Sequence, residues 1–154
     1  LKEVGVIDEY YFLKNFLHLL NIHKKHFYKA DTHKYIKKLI DIIPWKNQLR
    51  IVNIDFHHDY YHYYTGGDNY NCGNWLRRLI EERPNTKVRW IRRKDSQINS
   101  LEGEFPFEHT TDIKSIANET FDYVFICRSP EWSPPHLRDK FEELARAVIR
   151  PKTA

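Results

Sequence analysis

The sequence has no methionine, and only two cysteines and five glycines, in 154 residues. Cys72 and Cys127 are too few for a disulfide framework, which predicts a reducing compartment and makes the cytoplasm the expected location. No apolar run approaches the roughly 18 to 20 residues that a membrane span requires, so no membrane partner is expected. The N-terminus also lacks the basic, apolar and small-residue order of a signal peptide. Without a methionine, Leu1 is not expected to be the translated start.

Neither charge sign dominates the chain. Lys plus Arg number 25 against 21 Asp plus Glu, which leaves a formal net charge of +4. This small excess favours a solvated mixed surface over a nucleic-acid groove, although basic clusters occur in "HKKHFYK" from His23 and in "RWIRRK" from Arg89. With 41% hydrophobic and 15% aromatic residues, the composition predicts one globular domain over residues 1–154.

Short apolar runs alternate with amphipathic segments along the chain. The runs that predict strands are Val4–Ile7, Leu49–Ile54, Val88–Ile91, a short stretch near Phe107, and Phe121–Cys127. The segments that predict helices are residues 12–20, 31–43, 72–83 and 134–149, with a short helix from Asp112. The alternation implies a three-layer α/β fold, with a mainly parallel sheet and helices on both faces. In such sheets ligands bind beyond the carboxyl ends of the strands.

The stretch "IDFHHDY" follows one of these predicted strands directly. In extended backbone, Asp55, His57 and Asp59 would project to one side while Phe56 and His58 point to the other. Two carboxylates and one imidazole suit a hard or borderline divalent ion. The pattern therefore predicts a metal site with these three residues as ligands and His58 beside them.

A polar surface loop is the alternative explanation of the same residues, because D-x-H-x-D also arises by chance. The position favours the metal. Two carboxylates at the end of a buried strand repel each other and lose hydration unless a cation or hydrogen bonds compensate.

The motif D-x-H-x-D after a buried strand resembles that of the arginase-like ureohydrolases. "NCGNWLRRL" and "FICRSPEWSPPHL" are similar to the small branch that includes peptide arginases. The resemblance implies a compact arginase-like domain that uses manganese to convert arginine in a peptide to ornithine and urea. It makes Asp55 a ligand bridging two metals, His57 a ligand of one, and Asp59 a ligand of the other.

The chain departs from that family pattern at two places. Tyr10 stands where small relatives tend to carry a histidine, for which His33 is an imperfect substitute, and Val124–Ile126 stands where arginases carry an Asp-x-Asp pair. The number of metal ions, one or two, is therefore open. Glu131 is the best remaining carboxylate for the role of ligand or general base. A solvent-facing position in a Pro-rich turn explains this residue equally well. Glu131 and His58 are the candidate catalytic residues.

A cationic guanidinium substrate needs hydrogen-bond acceptors near the predicted site. The candidates are four side chains in the surrounding loops: Asp68, Asn71, Asn74 and Ser129. Asn71 is equally explained as a helix N-cap, and Asn74 as a partner of loop backbone.

Two other functions are compatible with the same features. One is a different metal-dependent hydrolase, acting on phosphoesters or amides. The other is a non-catalytic binding module for nucleic acid or peptide on a degenerate arginase-like fold, in which the basic clusters and the many aromatic residues would form the contact surface.

Overall fold

The computed structural model describes residues 2–8, 26–30, 33–61, 70, 73–98, 107–116 and 121–127. The strands are β1 Lys2–Asp8, β2 His26–Ala30, β3 Leu49–Ile54, β4 Lys87–Ile91, β5 Glu108–Thr110 and β6 Tyr123–Cys127. The helices are α1 Ile36–Ile42 and α2 Trp75–Glu82, with single 3-10 turns at His33–Tyr35 and Ile113–Ile116. Within these ranges no helix is long and apolar enough to cross a bilayer.

The six strands form one sheet in the order β2-β6-β1-β3-β4-β5. All five pairings are parallel, which confirms the predicted parallel α/β fold. The polar segment after β3 therefore leaves the sheet between the ends of β1 and β4. That position, at the carboxyl ends of interior strands, is where open parallel sheets place ligands.

The predicted strands are confirmed with small shifts of their ends, but β2 was not predicted from the sequence. Its residues, His26–Ala30, were interpreted only as part of a basic cluster. β2 lies at the edge of the sheet and pairs with β6 alone, so it needs no continuous apolar run. The helices predicted over residues 12–20 and 134–149 lie outside the described residues.

The two described helices pack on the same face of the sheet. α1 contributes Ile36, Leu39 and Ile40, and α2 contributes Trp75, Leu76 and Leu79, to one buried cluster. The strand residues of that cluster alternate along the chain: Val4 and Val6 of β1, Leu49 and Ile51 of β3, Phe125 and Cys127 of β6. This period of two identifies the face that α1 and α2 cover.

The opposite face is buried as well. The alternate residues of the central strands are at most 2% exposed: Ile7, Val52, Ile54, Val124 and Ile126. Gly5 lies on this face, where a Cβ would come within 3.3 Å of the Phe121 ring. Both faces of the central strands are thus covered, as a layered α/β fold requires.

Candidate metal centre

Three buried side chains meet at the carboxyl end of the sheet on the face covered by α1 and α2. They are His33, Asp55 and Asp59, with exposures of 2%, 3% and 2%. One ligand atom from each lies within 4.8 Å of the others. This spacing would allow the three side chains to hold one metal ion together. Asp55 and Asp59 were predicted as ligands, whereas His33 was considered only as a substitute.

The end of β3 fixes Asp55. Its backbone N–H donates to the Ile91 carbonyl of β4 at 3.1 Å, and its carbonyl accepts from Trp90 Nε1 at 2.9 Å. Its Oδ1 accepts a hydrogen bond from the His57 backbone N–H at 3.2 Å. The backbone of this candidate ligand is therefore tied to the sheet on its β4 side.

Asp59 is held in a left-handed backbone conformation, with φ of 57°. Aspartate tolerates this region better than most residues because its short polar side chain bonds locally. Trp75 Nε1 donates to Asp59 Oδ2 at 2.6 Å, and the Leu76 N–H donates to the Asp59 carbonyl at 3.2 Å. The start of α2 thus orients the second carboxylate.

His33 begins the 3-10 turn that leads from β2 into α1. Its ring stacks on Trp75 with an interplanar angle of 2° and lies 6.3 Å from the Phe125 ring. Nε2 is 3.9 Å from Asp59 Oδ2, and neither ring nitrogen has a hydrogen-bond partner among the described residues. Burial, with a smaller contribution from His57, lowers the pKa of His33 to about 3, so the ring is neutral at pH 7. A neutral imidazole is the form that binds metals.

The carboxylates of Asp55 and Asp59 repel each other when both are ionised. Burial raises the pKa of Asp55 well above its usual value, and the neighbouring Asp59 raises it further through its charge and a shared hydrogen bond. The pair therefore keeps a proton up to a higher pH than two solvated aspartates would. A cation between them would remove the repulsion that this proton relieves.

His57, predicted as the third ligand, lies outside this group. Regular strand geometry ends at Ile54, and residues 55–57 bend away from it, so the alternation of side chains assumed for D-x-H-x-D does not continue. His57 is half-buried, and its ring packs edge-on against Phe56, with centroids 4.9 Å apart. The histidine of the described group comes instead from a segment more than 20 residues earlier in the chain.

His58, the candidate catalytic histidine, is 3% exposed. Its Nδ1 accepts the Tyr60 backbone N–H at 2.9 Å, so Nε2 carries the proton of the neutral ring. The ring packs against Tyr61, with centroids 4.0 Å apart, and edge-on against Trp90. Burial, followed by the nearby His57, lowers the pKa of His58 to about 4.

The buried His58 should make the fold acid-sensitive. Its pKa is about 4 in the folded protein and about 6.5 when unfolded, so its stabilising contribution is present above pH 6.5 and is lost as the pH falls towards 4. Between pH 7 and pH 5 this loss amounts to about 2 kcal/mol. Urea unfolding of the wild type and of His58→Asn, whose Oδ1 replaces Nδ1 as acceptor, measures it. We expect the variant to lose less stability over this interval; equal losses would contradict the assignment.

Of the residues predicted to bind substrate, Asn74 is described. It is 2% exposed and immediately precedes α2, where its carbonyl accepts the Arg78 N–H at 3.0 Å. Its side chain makes no cap hydrogen bond to the helix, and the alternative explanation of Asn74, a bond to loop backbone, stays a prediction. The remaining predicted residues, Asp68, Asn71, Ser129 and Glu131, lie outside the described residues.

The basic cluster "RWIRRK" does not present its tryptophan for stacking on a nucleobase. Trp90 is 0% exposed, and its indole N–H is used by the Asp55 carbonyl. Trp75 is equally buried and bonds Asp59. Both rings belong to the interior, as their strand and helix spacing predicted. Neither supports the nucleic-acid alternative.

No protein-family model, curated protein or solved structure matches this chain. The likeness to arginase-like ureohydrolases therefore depends on the residues of the D-x-H-x-D motif and its two companion stretches.

Proposed function

We propose that this protein is a divalent-metal hydrolase in which His33, Asp55 and Asp59 are the metal ligands. The observation that carries the proposal is the meeting of these three buried side chains, one of them a neutral imidazole whose two nitrogens lack hydrogen-bond partners among the described residues. A buried polar group without a partner costs roughly 1–3 kcal/mol. An ion at this point would satisfy the imidazole and the carboxylate pair together.

The donor set suits a catalytic ion better than a structural one. Two carboxylates and one imidazole match manganese and similar divalent ions, and three protein ligands leave coordination positions open to water. A bound ion of this kind lowers the pKa of water from 15.7 towards about 7. We propose manganese, because the resemblance to arginase-like enzymes implies it.

The surrounding residues would orient the ligands and exclude bulk water. Trp75 Nε1 fixes the Asp59 carboxylate, while Trp90 Nε1 holds the Asp55 backbone. The neutral His58 keeps its proton on Nε2 and packs edge-on against Trp90, the residue that holds the Asp55 backbone. Ligands anchored through hydrogen bonds of this kind keep their geometry when an ion or substrate arrives.

For the substrate we propose arginine side chains within a peptide, a choice supported by the sequence resemblance. The reaction adds water across the bond between Nε and Cζ, leaving the amine of ornithine on the peptide and releasing urea. Hydrolases that carry a His-Asp doublet on a helix fit less well, because Asp55 follows β3 directly and none of the residues 55–59 is helical.

The test is incubation of the manganese-loaded protein with arginine-containing peptides, followed by a urea assay and by mass spectrometry for ornithine. We expect urea in proportion to ornithine from the wild type and none from Asp55→Ala. Lysine in place of arginine in the peptide is the matched substrate control. A wild type that binds manganese without releasing urea would refute the guanidinium substrate and leave the metal site intact.

A further inference from the structure

A buried carboxamide without a hydrogen-bond partner among the described residues lies in β3, two residues before Asp55. Asn53 of β3 is 0% exposed, and neither its Oδ1 nor its Nδ2 has a partner among the described residues. An amide shielded from water in this way loses the hydrogen bonds it made in the unfolded chain. Neither packing nor regular secondary structure explains an asparagine here.

The sheet register shows where a partner can lie. Asn53 is in register with Val6 on one side and with Trp90 on the other. Val6 has no polar side-chain atom, and Trp90 Nε1 already donates to the Asp55 carbonyl. Two residues earlier on the same face lies the apolar Ile51, a member of the core cluster. The remaining direction along this face leads to Asp55.

Two of the proposed ligands lie close to this asparagine in the sheet. Asp55 follows it two residues later, and its backbone N–H still donates to the Ile91 carbonyl of β4, one residue beyond the end of β3. His33 packs against Phe125, which lies beside Val6 in the same row of the sheet. Asn53 makes no direct hydrogen bond to either carboxylate, and a water molecule between the groups would satisfy the amide.

We infer that Asn53 is a positioning residue of the metal site, whose carboxamide hydrogen-bonds a water molecule carried by the ion that His33, Asp55 and Asp59 hold. This inference rests on the metal site proposed above. A carboxamide suits the role because it both donates and accepts, so it can orient a water molecule without adding charge to a pocket that already has two carboxylates. Partners at this distance from an ion tune its affinity rather than supply its ligands.

Asn53→Leu separates this role from a structural one, because the two predict opposite changes in stability. Leucine has a similar volume and removes the unpartnered amide. In the presence of a chelator, which keeps the protein free of metal, we expect the Tm of Asn53→Leu to be about 2 to 4 °C higher than that of the wild type. Manganese titration of the same variant should show affinity about 10- to 100-fold weaker than that of the wild type.

Two further variants complete the test. Asn53→Ser keeps a hydrogen-bonding group but leaves a cavity, so it should unfold at a lower temperature than Asn53→Leu and bind manganese more tightly. Val52→Ala, on the opposite face of β3, should lower the Tm and leave manganese affinity unchanged. Of the two variants at position 53, Asn53→Leu should then have the higher Tm and Asn53→Ser the tighter manganese binding.

Each outcome decides the inference. A lower Tm for metal-free Asn53→Leu would show that the amide has a structural partner, and a raised Tm with unchanged affinity would show that it does not act on the ion. Either result overturns the inference while the proposed metal site stands. A wild type that binds no manganese would overturn both.

Discussion

Replacing His33 by alanine will weaken manganese binding by about 100-fold or more. Loss of a residue that only supports a ligand already costs 10- to 100-fold in affinity, and loss of a ligand should cost at least the upper end of that range. His33 supplies the one imidazole of the described group, and no hydrogen bond among the described residues competes for its nitrogens. Isothermal titration of the purified protein with manganese measures the change.

His57→Ala is the matched control for this result. His57 was predicted as a ligand from the D-x-H-x-D spacing but lies outside the described group, so its loss should weaken binding by no more than about tenfold. His33→Phe keeps a ring against Trp75 and Phe125 while removing both nitrogens, and circular dichroism will verify that it folds. If His57→Ala abolishes binding while His33→Phe retains it, then His57 and not His33 is the ligand.

The sequence predicted the part of the site that depends on strand position. The apolar run Leu49–Ile54 identified a buried strand, and a parallel sheet places the residue after such a strand at the ligand-binding edge. Asp55 lies at that edge, and it forms one buried group with Asp59. These placements follow from local hydrophobic pattern and chain order, which a single sequence contains.

The histidine could not be predicted in the same way. His33 lies in the 3-10 turn before α1, and its ring lies beside Trp75 and beside Phe125 of β6. The edge strand β2, which precedes this turn, has no distinctive apolar run, and its pairing with residues almost 100 positions later leaves no trace in residue spacing. His57 lies outside the group because residues 55–57 bend where β3 ends, which the alternation of D-x-H-x-D does not reveal.

We expect Asp55→Asn to abolish the proposed manganese-dependent activity and yet to make the metal-free protein more stable at pH 7. Burial and Asp59 raise the pKa of Asp55 in the folded protein, so its contribution to stability is complete below the unfolded value near 3.9 and is lost as the pH rises towards the folded value. Asparagine resembles the protonated acid in shape and cannot ionise. The Tm difference between variant and wild type should therefore be near zero at pH 4 and positive at pH 7.

At pH 7, manganese should make the wild type more stable than Asp55→Asn, which reverses their order of stability without metal. An ion that binds only the folded state adds about 2.7 kcal/mol to the stability of the wild type at 100 times its Kd, whereas Asp55→Asn gains almost nothing. Asp41→Asn removes a carboxylate that is exposed on α1 and paired with Lys37 at 3.4 Å, and it should behave as wild type in both conditions. Thermal unfolding with and without manganese measures all three proteins. A wild type that remains less stable than Asp55→Asn in saturating manganese would contradict the proposal that the two aspartates share a cation, because an ion that relieved their repulsion would stabilise the wild type alone.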